Sequence, residues 1–172
     1  MAKEKTIPYE DVRRVVDQPK YWPRGMLFRW KSRSPKRMPK PMTFRAPLAI
    51  DEAQTRFAES CFVELYFKNS HIPGVPPTIS MSLVIDNART IAIDDNGKGK
   101  HLNKVGAGMP YHMERIGFPH IHIPIIESSY GYAEPLKPGS VQVFWELFLK
   151  ESNIIGAPRI DLPMSGQSEL DL

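Results

Sequence analysis

The sequence has one cysteine, Cys61, among 172 residues. An internal disulfide is therefore excluded, and so is a zinc site built from several thiolates. Long apolar runs are missing too, and nothing approaches the ~20 apolar residues of a membrane-spanning helix. No membrane partner is expected. The opening MAKEKTIPYEDV has charges but no apolar centre of the kind a secretory signal carries, which makes a cytoplasmic protein the expectation. Internal repeats and low-complexity tracts are lacking. Nucleotide-cradling motifs are lacking as well: GKGK (Gly97–Lys100) does not have the Walker spacing, and GAG (Gly106–Gly108) is too short. No serine sits in a nucleophile elbow. No cofactor is expected on these grounds.

What is present is ordinary in amount and uneven in placement. Hydrophobic residues make up 41% of the chain, enough for one compact domain with a real core. The net charge of +4 hides an asymmetry, because residues 1–45 hold 13 Lys/Arg against 4 Asp/Glu. The remainder is acidic. Within Tyr21–Arg45 the cations Arg24, Arg29, Lys31, Arg33, Lys36, Arg37 and Lys40 alternate with rings such as Trp22, Phe28, Trp30 and Phe44. Cations pair with phosphates and flat rings stack on bases. The expected nucleic-acid-binding residues are Arg24, Arg29, Trp30, Lys31, Arg33, Lys36, Arg37 and Lys40, with RNA favoured over DNA. Two other readings stand beside this one: an acidic partner protein, or a solvated arm whose rings dock on the body.

Hydrophobic periodicity sets out the elements. Residues 8–16 read as one or two helical turns, and 51–61 as a short helix capped by Asp51 with Ala53, Phe57 and Cys61 on one face. Phe62–Phe67 reads as a strand. Thr78–Asp86 and Arg89–Asp94 form a hairpin, with Ile79, Met81, Leu83 and Ile85 inward on the first strand and Ile91 and Ile93 on the second. Phe118–Ile126 is a further strand, at an edge or irregular because of Pro119 and Pro124. Ser140 opens a helix with a stripe of Val143, Phe144, Leu147 and Phe148. The expected fold is α+β: an antiparallel sheet of about four to five strands with one or two packed helices and a basic N-terminal arm. The expected division is a basic aromatic arm at 1–48, an α+β core domain at 49–156 and an extended tail at 157–172.

Four of the five histidines fall between 101 and 122. His120 and His122 are two apart, so a strand presents both on one face. His101 and Asn103, from the long loop Asp94–Pro110, are placed to join them. Three readings follow. Paired imidazoles can serve as acid and base in phosphodiester cleavage, with His120, His122, His101 and Asn103 as the catalytic set, no metal, and Lys104 or Arg115 nearby. Alternatively His120 and His122 with Glu127 make a two-histidine, one-carboxylate metal site of cupin-like character. In the third, the imidazoles simply satisfy backbone groups. Asp51, Asp86, Asp94 and Asp95 are further carboxylates that a nuclease metal can use.

The order of short motifs from Ser82 to Leu136 resembles a family of small uncharacterised bacterial and phage proteins. In that pattern a strand ends in an aspartate (Asp94), followed by H-x-N (His101, Asn103) and P-H-x-H (Pro119, His120, His122). Tyr130-Gly131, then Ala133, Pro135 and Leu136, and finally Asn153-Ile154 complete it. The resemblance spans roughly residues 80–156 and implies that the H-x-N and H-x-H pieces belong to one unit. Here the connection between them, Val105–Phe118, is longer. Arm and histidines together lead to the expectation of a nucleic-acid-directed protein, in particular a toxin-like or phage-defence RNA endonuclease. A non-catalytic interaction protein is the alternative.

Overall fold

The structure is a computed structural model and describes residues 6–34 and 36–163. Along the chain run helix α1 (Tyr9–Asp17) and strands β1 (Lys20–Tyr21), β2 (Lys31–Ser32), β3 (Met42–Ala49), β4 (Phe57–Lys68), β5 (Thr78–Ile85) and β6 (Ala88–Asp95). Then come β7 (His101–Leu102), β8 (Arg115–Ile116), β9 (His120–Ile125), β10 (Ser128–Pro135), helix α2 (Val141–Glu151) and β11 (Ile154–Ile155). Nine strands form one sheet in the order β10-β9-β6-β5-β4-β3-β1-β11, with β2 also on β3, and β7 pairs with β8 apart from it. All pairings are antiparallel except β1 with β11, so the large sheet is mixed, and it curls into a half-barrel.

This overturns the expected four- to five-stranded α+β sheet. The described chain is mostly β, with only two helices. Two physical features hide the extra strands. β3 lies in the proline-rich basic stretch, yet Pro47 is accommodated beside a register shift in its pairing with β4. The span 51–61 is no helix: Asp51 accepts hydrogen bonds from the backbone N–H of Thr55 and Arg56, closing a turn that feeds β4 directly.

The hairpin forms as its alternation dictates, its turn held by Asp86 and Asn87 at φ of 49° and 64°. Ile79, Met81, Leu83, Ile85, Ile91 and Ile93 are all buried in the core. α2 begins at Ser140, whose hydroxyl accepts from the N–H of Val143. Its buried stripe is rotated from the expected one, through Phe144, Trp145 and Phe148, and leaves Val143 exposed. β9 is an interior strand, not an edge. Pro124 is tolerated because the β6 ladder covers only His120–His122 and the β10 pairing shifts register near that point.

The first 48 residues add α1 and three strands to the same sheet. Trp22, Phe28, Phe44 and Trp145 form one aromatic cluster, with ring centroids 5.1–5.9 Å apart. These rings pack on one another at the core, with Phe28 partly buried. At the other end Ala157, Ile160 and Leu162 pack on the core, and residues 164–172 of the expected tail lie outside the described residues. No helix among the described residues is long and apolar enough to cross a membrane.

Candidate functional site

The helices cover one face of the sheet, and the polar alternate positions of β4, β5 and β6 point to the other. On that second face β6 and β9 are paired with Asp94 opposite His120 and Ala92 opposite His122. The register brings a carboxylate and two imidazoles together, and the small Ala92 leaves the space beside His122 to the ring. Both histidines are only 2% exposed.

Each imidazole is oriented by a backbone carbonyl. His120 Nδ1 lies 2.7 Å from the Gly117 oxygen and His122 Nδ1 lies 2.9 Å from the Tyr130 oxygen. A carbonyl only accepts, so each Nδ1 carries a proton, and a ring in its neutral form turns a bare Nε2 lone pair inward. The two Nε2 atoms are 3.1 Å apart. Asp94 Oδ2 lies 3.3 Å from that of His122 and 3.6 Å from that of His120. Three electron pairs thus converge on one point, an arrangement that repels unless a cation, proton or metal, sits among them.

The surroundings hold this set rigidly. The other oxygen of Asp94, Oδ1, accepts from Ser80 Oγ at 2.6 Å and from an Arg89 guanidinium nitrogen at 2.9 Å, leaving Oδ2 to face the rings. Arg89 also donates to Ser82 Oγ and lies over the Tyr130 ring, 4.6 Å from its centroid. Tyr130 stacks on His122 at 4.0 Å, and its hydroxyl lies 3.4 Å from Asp94 Oδ2. Phe118 stacks on His120 at 4.8 Å. A Cβ on Gly97 would come within 2.4 Å of the Phe118 ring, so glycine there is what lets the loop lie flat against it.

Burial opposes ionisation of Asp94, but the two imidazoles, where one carries a proton on Nε2, together with Arg89 and Ser80 more than reverse this and hold the carboxyl far below its usual range. Burial pushes the His122 imidazole down, against the pull of Asp94.

Of the expected catalytic set, His120 and His122 converge as their spacing requires, and His101 stands edge-on to His122 at 4.6 Å. The Nε2 of His101 is engaged by the Gly131 carbonyl at 2.9 Å. Asn103 is fully buried and its amide is committed to backbone: it donates to Tyr111 and Ala133 carbonyls and accepts from the Ala133 N–H. It clamps the loop to β10 and has no donor left for a phosphate. The carboxylate facing the imidazoles is Asp94, whereas Glu127 accepts from the Gly106 N–H. Arg89, Ser80 and Phe118 are not among the sequence-based site candidates, and Tyr130 enters only through the Tyr130-Gly131 motif. The signal that marks Ser80 and Ser82 is their alternation with Met81 and Leu83, which turns them away from the core.

No family model, curated protein or solved structure matches this chain. The chemistry of the centre rests on its own geometry.

Among the basic residues, Arg29, Lys31, Arg33, Lys36 and Arg37 are exposed and Lys40 is half-buried. Arg24 donates to the Glu52 carbonyl. Trp30 is half-buried against Phe44 and Phe67, and its indole donates to the Asp161 carbonyl. Arg33, Ser80, Ser82, Arg89 and Asp94 line a cleft of about 440 Å³ that opens beside the centre.

Proposed function

We propose that this protein is a metal-dependent hydrolase of phosphodiesters whose metal is held by Asp94, His120 and His122. The observation that carries the reading is the convergence of two Nε2 lone pairs and one carboxylate oxygen. Ligands at ~2.0–2.2 Å from one metal ion stand about 3.0 Å apart at right angles and about 3.4 Å apart in a tetrahedron. The spacings of 3.1, 3.3 and 3.6 Å fall around that range. The donor set of two neutral imidazoles and one carboxylate suits zinc, iron(II) or manganese. Carbonyl partners on both Nδ1 atoms, and Arg89 and Ser80 on the outer carboxylate oxygen, are the supports that metal ligands ordinarily carry.

A bound metal would polarise a phosphoryl oxygen and lower the pKa of a water. Arg89 and Arg33 at the cleft favour an anionic ester there. Burial of the two imidazoles favours metal ligation over direct proton transfer to a substrate.

The test is metal content per chain of purified protein, with uptake of zinc, manganese and iron(II) followed by the melting temperature. Labelled RNA and DNA are then assayed with and without chelator. Stoichiometric metal, lost in His122→Ala and Asp94→Asn, with cleavage that stops on chelation, is expected. Absence of metal uptake refutes the reading, and cleavage that survives chelation returns the chemistry to the imidazoles as acid and base.

A further inference from the structure

The register of the sheet aligns the polar residues of its open face into a row. Asp94 on β6 is opposite Ser80 on β5, Ser80 opposite Tyr66 on β4, Tyr66 opposite Thr43 on β3, and Thr43 opposite Lys31 on β2. A second row beside it runs from Ser82 through Glu64 to Arg45. From His120 to Lys31 the first row crosses five strand spacings, about 24 Å at ~4.8 Å each. Two clefts lie along it. One, of about 440 Å³, is the opening at Asp94 with Arg33 and Arg89. The other, of about 460 Å³, is lined by Arg29, Lys31, Thr43 and Arg45. Arg45 and Glu64 bridge them through an ion pair of 2.6 Å, which neutralises the Glu64 carboxylate.

We propose that a single-stranded nucleic acid binds across the strands along this row, its phosphates on Arg29, Lys31 and Arg33 and one phosphodiester at the Asp94 end, while Arg45 and Arg89 stay paired with Glu64 and Asp94. The cleavage of that bond rests on the metal reading above; the binding does not. The row lies on the face of the sheet and not along an edge, so a peptide cannot bind it by adding a strand. What it offers is side-chain cations at intervals, which suits a polymer of repeating anions, and the half-buried Tyr66 ring midway for a base to stack on. A length of about 24 Å takes roughly seven nucleotides stacked at ~3.4 Å each, and fewer in a drawn-out strand.

Fluorescence anisotropy with single-stranded RNA and DNA oligomers, from dinucleotide to dodecamer, tests this on the full chain. Affinity is expected to climb with length and level off by about seven nucleotides, with a matched duplex bound more weakly. Three contacts at ~0.7 each give a log–log salt slope of about −2.1, or about a 20-fold loss between about 50 and 200 mM salt. The exposed pair Lys31→Ala/Arg33→Ala is expected to bring the slope to about −0.7 while leaving the melting temperature and metal content unchanged. A slope unmoved by that pair overturns the proposal. So does a duplex bound as tightly as the single strand, or poly-glutamate binding equally well, which assigns the row to an acidic protein. Oligomers that bind as expected to protein that takes up no metal uphold the row and refute the metal reading instead.

Discussion

Replacing Asn103 separates a structural clamp from a phosphate-binding group. β10 is a terminal strand of the sheet, and Asn103 meets both the N–H and the C=O of Ala133 with one amide, as a neighbouring strand would. Its third bond holds the Tyr111 carbonyl at 3.0 Å. Asn103→Ala leaves the buried N–H and C=O of Ala133 without partners, at ~1–3 kcal/mol each, while the Tyr111 carbonyl keeps the Glu114 N–H; partial relaxation brings the expected loss to about 2–4 kcal/mol. That is a large share of the ~5–15 kcal/mol that holds a domain folded. Asn103→Asp keeps the acceptor for the Ala133 N–H but sets a carboxylate against two carbonyls. It is expected to be at least as damaging at neutral pH and to recover partly on acidification, when the carboxyl regains a proton to donate. Urea unfolding followed by tryptophan fluorescence gives both values, with an unchanged m confirming that the midpoint reports stability. A loss below about 1 kcal/mol in Asn103→Ala, accompanied by loss of oligonucleotide cleavage, would refute the clamp and put the side chain on the substrate.

Lys20 is buried and its ammonium donates to the carbonyls of Val15, Val16 and Gln18 at the end of α1, while burial brings its pKa down to about 8. Below its unfolded value the unfolded state binds more protons, so this group adds stability as pH rises from about 8 toward 10.5, up to about 3 kcal/mol. Burial pushes the Cys61 thiol up to about 11, which removes about 3 kcal/mol as pH rises from 9 to 11. Urea midpoints are therefore expected to rise just above pH 8 and then level off, to keep climbing in Cys61→Ala, and only to fall in Lys20→Met; profiles unchanged by either substitution refute the assignment. The same thiol is expected to resist alkylation until global unfolding, at a rate that follows urea concentration. Gly106 has φ of +89° and a Cβ there would lie 2.7 Å from the Tyr132 ring, so Gly106→Ala is expected to cost about 2–4 kcal/mol, measured by the melting temperature.

Legibility differed between elements for identifiable reasons. The β5–β6 hairpin was readable because period-two alternation and a turn made by Asp86 and Asn87 agree with each other. Residues 51–61 misled because Ala53, Phe57 and Cys61 have helical spacing, while β4 starts with exposed residues that show no alternation. Strands of two residues, such as β1 and β11, exist only through their partners and carry no pattern of their own. In the site, His120 and His122 were legible from spacing alone. Asp94 needed the register of β6 against β9. Arg89 reaches Asp94 from five residues earlier on the same strand, past a register shift in the hairpin, which no spacing rule anticipates.

The parallel pairing of β1 with β11, Lys20 opposite Ile154, fixes the order in which the molecule can be completed. Trp22 meets Trp145 edge-on at 5.7 Å, and Asn153 donates to the Asp17 carbonyl, so the segment around residue 20 is finished by one made about 125 residues later. During synthesis the hairpin strands can pair as they emerge, β1 can join β3 and Trp22 can meet Phe28 and Phe44, but the far edge of β1 and one side of the Trp22 indole stay open until α2 and β11 arrive. A chain interrupted before residue 141 therefore offers a partly uncovered tryptophan and an open sheet margin to chaperones and proteases.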